Sequence, residues 1–218
     1  MNHYKTYILY LVFAVCLNGC GSANRSASSA VGKTYPIVFN SVKEVKAFIK
    51  NGGSVNVREK KRGWTPLIAA AQAGNYEVAS YLLKNGADAN MLSIKDEVSP
   101  LQRAAAIGHL DLVKLLVENG ADINHQDKRL GSTPLIRAAV NGHVEVVGYL
   151  IEKNALIDAR ANHGDSALLL AIAAEHEDVV KLLLDNNAEH ERANVFGTTP
   201  LSQAKSLKNE TLIVLLKH

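Results

Sequence analysis

A short phrase, Thr or Ser followed by Pro and Leu, returns along this chain at a nearly constant step. It reads Thr65-Pro66-Leu67, Ser99-Pro100-Leu101, Thr133-Pro134-Leu135, Ser166-Ala167-Leu168 and Thr199-Pro200-Leu201, at intervals of 34, 34, 33 and 33 residues. Repetition at this period constrains the fold more than any bulk property. A unit so short cannot bury its own apolar face and must stack on its neighbours.

The residues between the phrases say what each unit is. Small apolar stretches follow them: Ala69-Ala70-Ala71, Ala104-Ala105-Ala106, Ala138-Ala139 and Ala171-Ile172-Ala173. A turn comes next, at Gly74-Asn75, Gly108-His109, Gly142-His143 and Glu175-His176, and then a second apolar helix carrying Leu82-Leu83, Leu115-Leu116, Leu150-Ile151 or Leu182-Leu183. Thr or Ser can cap the first helix, and Pro fits its first position, where no amide bond is lost. Paired alanines let neighbouring units approach closely, and the Leu pairs fill the space between them. The expected architecture is an all-α solenoid of helix-turn-helix units joined by β-hairpin or loop tips. Composition agrees: the chain is 47% hydrophobic but only 6% aromatic, so its core must come from Leu, Ile, Val and Ala.

The phrases and turns resemble the ankyrin repeat, marked by a T-P-L opening, paired Ala and a G-H turn. The resemblance runs over roughly residues 35–218 and implies a protein-binding module. The His usual after T-P-L is replaced by Ile68, Gln102, Ile136, Leu169 and Ser202, so its hydrogen bonds are expected to be missing throughout. Repeat four, with Ala167 for Pro and Glu175 for Gly, is expected to have the least regular turn. Residues 42–56 read as a second helix and turn, with a short first helix near Pro36 to Phe39. The repeat domain is therefore placed at 34–218, five repeats plus a partial one at its N-terminus.

The first 33 residues read as an address. Lys5 precedes an apolar run from Tyr7 to Leu17, of signal-peptide length and too short to span a membrane comfortably. It ends in Leu17-Asn18-Gly19-Cys20, which resembles the bacterial lipobox. The resemblance implies a signal peptide over 1–19, lipidation of Cys20 and a flexible tether over 20–33. Gly21 after the Cys is similar to an outer-membrane sorting signal in a Gram-negative host, so the expected location is the cell envelope, lipid-anchored on the periplasmic face of the outer membrane. Both cysteines, Cys16 and Cys20, lie in this region, and no thiol follows them for a disulfide or a Cys-based metal site.

A search for chemistry gives little. His109, His143 and His176 occupy equivalent positions and must form a column, but packed helices lie about 8–10 Å apart, too far for two rings each reaching about 2 Å to one Zn. Ser99, Ser132 and Ser166 are explained by helix caps. No nucleophile elbow, P-loop or dinucleotide fingerprint occurs. No metal, cofactor or enzymatic activity is expected.

What remains is surface. The first tip carries Arg58, Lys60, Lys61 and Arg62 beside Trp64, the only Trp; the second carries Leu92, Ile94 and Lys95, followed by Val98. The third holds Lys128, Arg129 and Leu130, the fourth Arg160 and His163, the fifth Val195 and Phe196. Arg103 and Arg137 fall at matching positions of consecutive first helices and are expected to stack, exposed, on a groove wall, where charge reversal would leave the fold intact. Arg and aromatic residues dominate protein-binding hot spots, and basic tips steer an acidic partner. The net charge of +3 is far below that of a nucleic-acid binder. The chain is thus expected to be a monomer that binds a protein partner with an acidic surface, reaches the membrane through its lipid anchor, and binds no nucleic acid. Small ankyrin lipoproteins resemble immunity partners of secreted lipase effectors, which implies a toxin as partner; the alternative is an accessory or scaffold role for a periplasmic enzyme, for example in oxidative-stress defence.

Overall fold

The computed structural model describes residues 37–217, so the expected signal segment, Cys20, the tether and Pro36 lie outside the described residues. Eleven helices follow one another there: α1 (Val42–Lys50), α2 (Pro66–Ala73), α3 (Tyr76–Lys84), α4 (Pro100–Ile107), α5 (Leu110–Glu118), α6 (Pro134–Val140), α7 (Val144–Glu152), α8 (Ala167–Ala173), α9 (Glu177–Asp185), α10 (Pro200–Leu207) and α11 (Glu210–Leu215). They form five helix pairs preceded by one unpaired helix. The short helix expected near Pro36 to Phe39 is not formed over the described part: residues 37–39 carry no regular structure, although Ile37 and Phe39 are buried. Phe39 instead packs its ring on Phe48 of α1 at 5.2 Å.

Helix starts are fixed locally. The hydroxyls of Thr65, Ser99, Thr133, Ser166 and Thr199 accept from the amides of Ile68, Gln102, Ile136, Leu169 and Ser202. Each satisfies one of the amides that a helix start leaves unpaired. The first helices α2, α4, α6, α8 and α10 pack in one row, and the second helices in another. Ala104, Ala105, Ala138, Ala139 and Ala171 are wholly buried between first helices, and Leu82, Leu116, Leu150 and Leu183 between second helices. The core is therefore a strip along the stack, each layer closed by its neighbours.

The tips account for the change in repeat length. In the first three, the amides of Glu59, Ser93 and Asp127 donate to the carbonyls of Trp64, Val98 and Ser132. In the last two, Ala161 and Asn194 donate to Asp165 and Thr198, a closure one residue shorter. The step falls from 34 to 33 where this closure tightens. The tips are hairpin-like loops rather than sheet; the single bridge among the described residues pairs Arg160 with Ser166.

Two expectations about irregularity fail. Glu175 takes the left-handed conformation at φ 58°, as Gly142 does at φ 75°. The bond from the His176 amide to the Ala171 carbonyl matches that from His143 to Ala138, so turn four is as regular as the others. Nor is the hydrogen-bonding role after T-P-L lost throughout. Gln102 donates from Nε2 to the carbonyls of Ser132 at 2.6 Å and His125 at 3.1 Å, while its Oε1 accepts from Ser99 N. An amide of similar reach replaces an imidazole.

Candidate functional site

The tips lie in a row and are laced to one another. Lys128 N donates to Asp96 O, Asn162 N to Leu130 O and Val195 N to His163 O, so four consecutive tips share backbone bonds. Arg58 Nη1 ties the first tip to the second through the Leu92 carbonyl at 2.5 Å. Within a tip, the leading side chain accepts from the loop's own amides. Glu59 takes those of Lys61 and Arg62, Asp127 those of Arg129, Leu130 and Ser132, and Asn194 those of Phe196 and Thr198. A surface built this way is pre-organised and presents its side chains at little ordering cost.

Below the tips runs a second ladder that sequence reading missed. Asn56 Nδ2 donates to Gly86 O while its Oδ1 accepts from Asp88 N, and Asn90 repeats both bonds with Gly120 and Asp122. Asn124 and Asp158 accept from Leu156 N and Glu189 N in the same way. The signal was available as an Asn or Asp recurring every 34 residues.

Most of the expected tip residues reach solvent. Arg58, Lys60, Lys61, Arg62, Lys95, Lys128 and Arg129 are exposed, as is Phe196. Ile94 is 64% exposed and sits over Gly63, where an added Cβ would strike its side chain. His163 is half-buried and faces the Phe196 ring at 5.5 Å. Leu92 is half-buried, and Val98 and Leu130 are core residues rather than contact residues. Lys128 pairs with Glu97 at 3.3 Å with both side chains open to water, a contact worth little on its own. Arg160 is largely committed to the stack, through Glu189 Oε2 at 2.6 Å and the Gly164 carbonyl. The free basic charge is therefore concentrated on the first three tips.

Arg103 and Arg137 depart from the expected exposure. Neither stands exposed on a groove wall: they are 6% and 3% exposed. Arg137 Nη2 donates to Asp127 Oδ2 at 2.9 Å inside the stack, so the tip folds back over its own first helix. Arg103 lies under Trp64, its guanidinium carbon 4.9 Å from the ring centroid, and Arg62 stands at the same distance from that ring. Burial, with Arg137 nearby, pushes the Arg103 guanidinium down to about 10, still charged at neutral pH. Charge reversal at this pair would bury two carboxylates, so it cannot be neutral to the fold.

On the opposite edge, the histidines form the expected column. His143 Nε2 lies 3.1 Å from Ala106 O and His176 Nε2 3.2 Å from Val140 O, each ring nitrogen donating to the preceding repeat. Burial, and next the neighbouring imidazole of His143, hold His109 below its ordinary value; burial outweighs the bond to Ala106 and holds His143 below it as well. The rings are structural spacers. Exposed Glu77, Asp111, Glu145 and Asp178 sit at the starts of the second helices, where acidic groups suit the positive helix end. The molecule is basic along its first tips and acidic along the edge away from them.

Capped helix pairs in two stacked rows, closed by laced tips, define a repeat solenoid of the protein-binding kind. A family model for ankyrin repeats, in three copies, matches residues 35–127 and again 101–194. The chain belongs to the ankyrin-repeat family, and it is a protein–protein interaction module. No curated protein matches it.

Proposed function

We propose that the chain is a membrane-anchored binding module of the bacterial cell envelope whose partner seats on the first three tips. The observation that supports the site is the laced tip row, with Arg58, Lys60, Lys61, Arg62, Lys95 and Arg129 exposed around Ile94 and Trp64. A rigid basic rim around apolar anchors suits an acidic protein surface. The anchor rests on Leu17-Asn18-Gly19-Cys20, with no helix among the described residues long and apolar enough to cross a membrane. The most specific reading is an immunity protein that covers a periplasm-acting toxin such as a lipase effector; the other is an accessory protein for a periplasmic enzyme.

The tip surface is tested by recovering the partner with the full chain and comparing Arg62→Glu/Arg129→Glu with a control pair on the second helices, Lys84→Glu/Lys181→Glu. The tip variant should bind more slowly and lose salt dependence, as rim charges do, while the control binds as the unaltered chain. Equal association by the two variants would move the interface away from the tips. The recovered partner separates the readings, since a toxin loses its activity in the complex whereas a served enzyme keeps or gains it.

Cys20→Ser is expected to move the protein from the membrane fraction to the soluble fraction or to leave the precursor uncleaved, because stable anchoring needs the acyl chains. A processed Cys20→Ser protein that still sediments with membranes excludes the lipid anchor.

A further inference from the structure

Arg103 is a buried cation without a counter-ion. It is 6% exposed, yet no carboxylate lies within ion-pair distance of it among the described residues. Of the five N–H donors a guanidinium carries, the only one engaged there makes a 3.5 Å contact with Gln72 Oε1, and its Nε has no acceptor. The charges that act on it are mostly of its own sign: Arg137, Arg129 and Arg62 against Asp96 alone. Arg137, its counterpart one repeat later, has Asp127. Taking a charge out of water is costly unless a partner compensates it, and an orphaned buried polar group calls for an explanation.

We propose that Arg103 is the anchor of the binding surface, completed when a partner protein inserts an Asp or Glu carboxylate beside Trp64. The inference rests on the tip-row reading above and names the chemistry at its centre. A planar fork of donors matches a carboxylate through two parallel bonds. The Trp64 ring, half-buried against the Arg103 and Arg62 guanidiniums, walls the site on its apolar side. The acid does not come from the chain's own N-terminal segment, because residues 1–36 contain no Asp or Glu. Charged pairs closed off from water at the centre of an interface are where single residues carry most of the binding energy.

Trp64, the only Trp, reports on the site directly. The full chain is titrated with a blocked tetraglutamate peptide, a blocked tetraglutamine peptide and inorganic phosphate, following Trp64 fluorescence. The acidic peptide should give a saturable change, the neutral one none, and phosphate none at equal ionic strength. Arg103→Met should weaken the peptide about ten- to a hundredfold, the loss of a charge-assisted bond, and raise the midpoint of thermal unfolding, because a buried unpaired charge is replaced by a well-packed apolar chain. Arg103→Lys, which keeps the charge without the fork, should weaken the peptide and serves if the Met variant does not fold. Unchanged affinity in both variants, or a response to phosphate alone, overturns the proposal. A lowered midpoint in folded Arg103→Met also overturns it, since Arg103 would then be a packing element. Association of the free chain with itself at low salt, abolished by Arg103→Met, overturns it in favour of a second copy's acidic edge. If the peptide fails while tip charge reversal still slows partner binding, the anchor is wrong and the tip-row reading stands.

Discussion

Replacing Arg137 with Met is expected to destabilise the protein by about 3–5 kcal/mol, the cost of removing one member of a buried ion pair. Asp127 cannot escape the loss. Its side chain is fully buried in the pair, and three backbone amides, from Arg129, Leu130 and Ser132, hold the carboxylate where it is. Without the guanidinium at 2.9 Å, the third tip must keep a buried anion satisfied by amides alone or open to water. Opening would also break the bonds from Lys128 N to Asp96 O and from Asn162 N to Leu130 O that lace this tip to its neighbours. The contrast with Arg103 sharpens the prediction. The same substitution at an equivalent position one repeat earlier removes a cation with no carboxylate to abandon, and its sign is reversed. Urea denaturation of the two single variants decides the matter: a loss of stability of similar size at both positions would show that packing, not charge pairing, sets the value of these arginines.

That contrast also marks where the sequence stopped being legible. The helices, their caps and their order follow from chemistry confined to a few residues. Thr65 caps Ile68, and Pro66 fits the position beside it, so a phrase of three letters suffices. The alanines and leucines follow from the period alone, because a stack of identical units must repeat its contacts. Arg103 and Arg137 share that period, which places them on their helices but does not specify their surroundings. Burial there is decided by the tips, which carry no period. Trp64 belongs to the first tip and stacks on Arg103 of the second repeat, whereas Asp127 belongs to the third tip and pairs with Arg137 of the same repeat. A solvated loop and a loop folded over a first helix have the same composition. The same holds for Gln102. Its acceptors, the carbonyls of Ser132 and His125, belong to the following tip, which no local pattern announces. The Asn ladder differs, since Asn56, Asn90 and Asn124 do recur in step with the repeats and could have been found.

The turn of repeat four supplies the second large effect. Gly74, Gly108 and Gly142 each sit in the left-handed region, and above each lies a histidine of the next repeat. A Cβ built on them would meet His109, His143 and His176 at 2.5, 2.5 and 2.7 Å. Glu175 occupies the same position with a full side chain and φ 58°. It can do so because the next repeat places Asn209 where the others place His. Asn209 Nδ2 donates to Glu175 Oε2 at 3.2 Å, so a contact that would be a collision becomes a hydrogen bond. The residues thus vary as pairs, Gly with His and Glu with Asn. Gly142→Glu alone should therefore be costly on two counts. Left-handed backbone costs a side chain roughly 1–2 kcal/mol, and displacing the His176 ring adds overpacking of about 1–3 kcal/mol. His176→Asn alone should cost only about 0.5–1.5 kcal/mol, for the bond to Val140 O. Combined, the two should recover the overpacking and leave the backbone cost, giving a favourable coupling of at least about 1 kcal/mol in a double-mutant cycle. Denaturant midpoints of the three variants measure it. Strict additivity would mean that the imidazole yields freely to a side chain below it, and that glycine is needed in this column for its backbone alone.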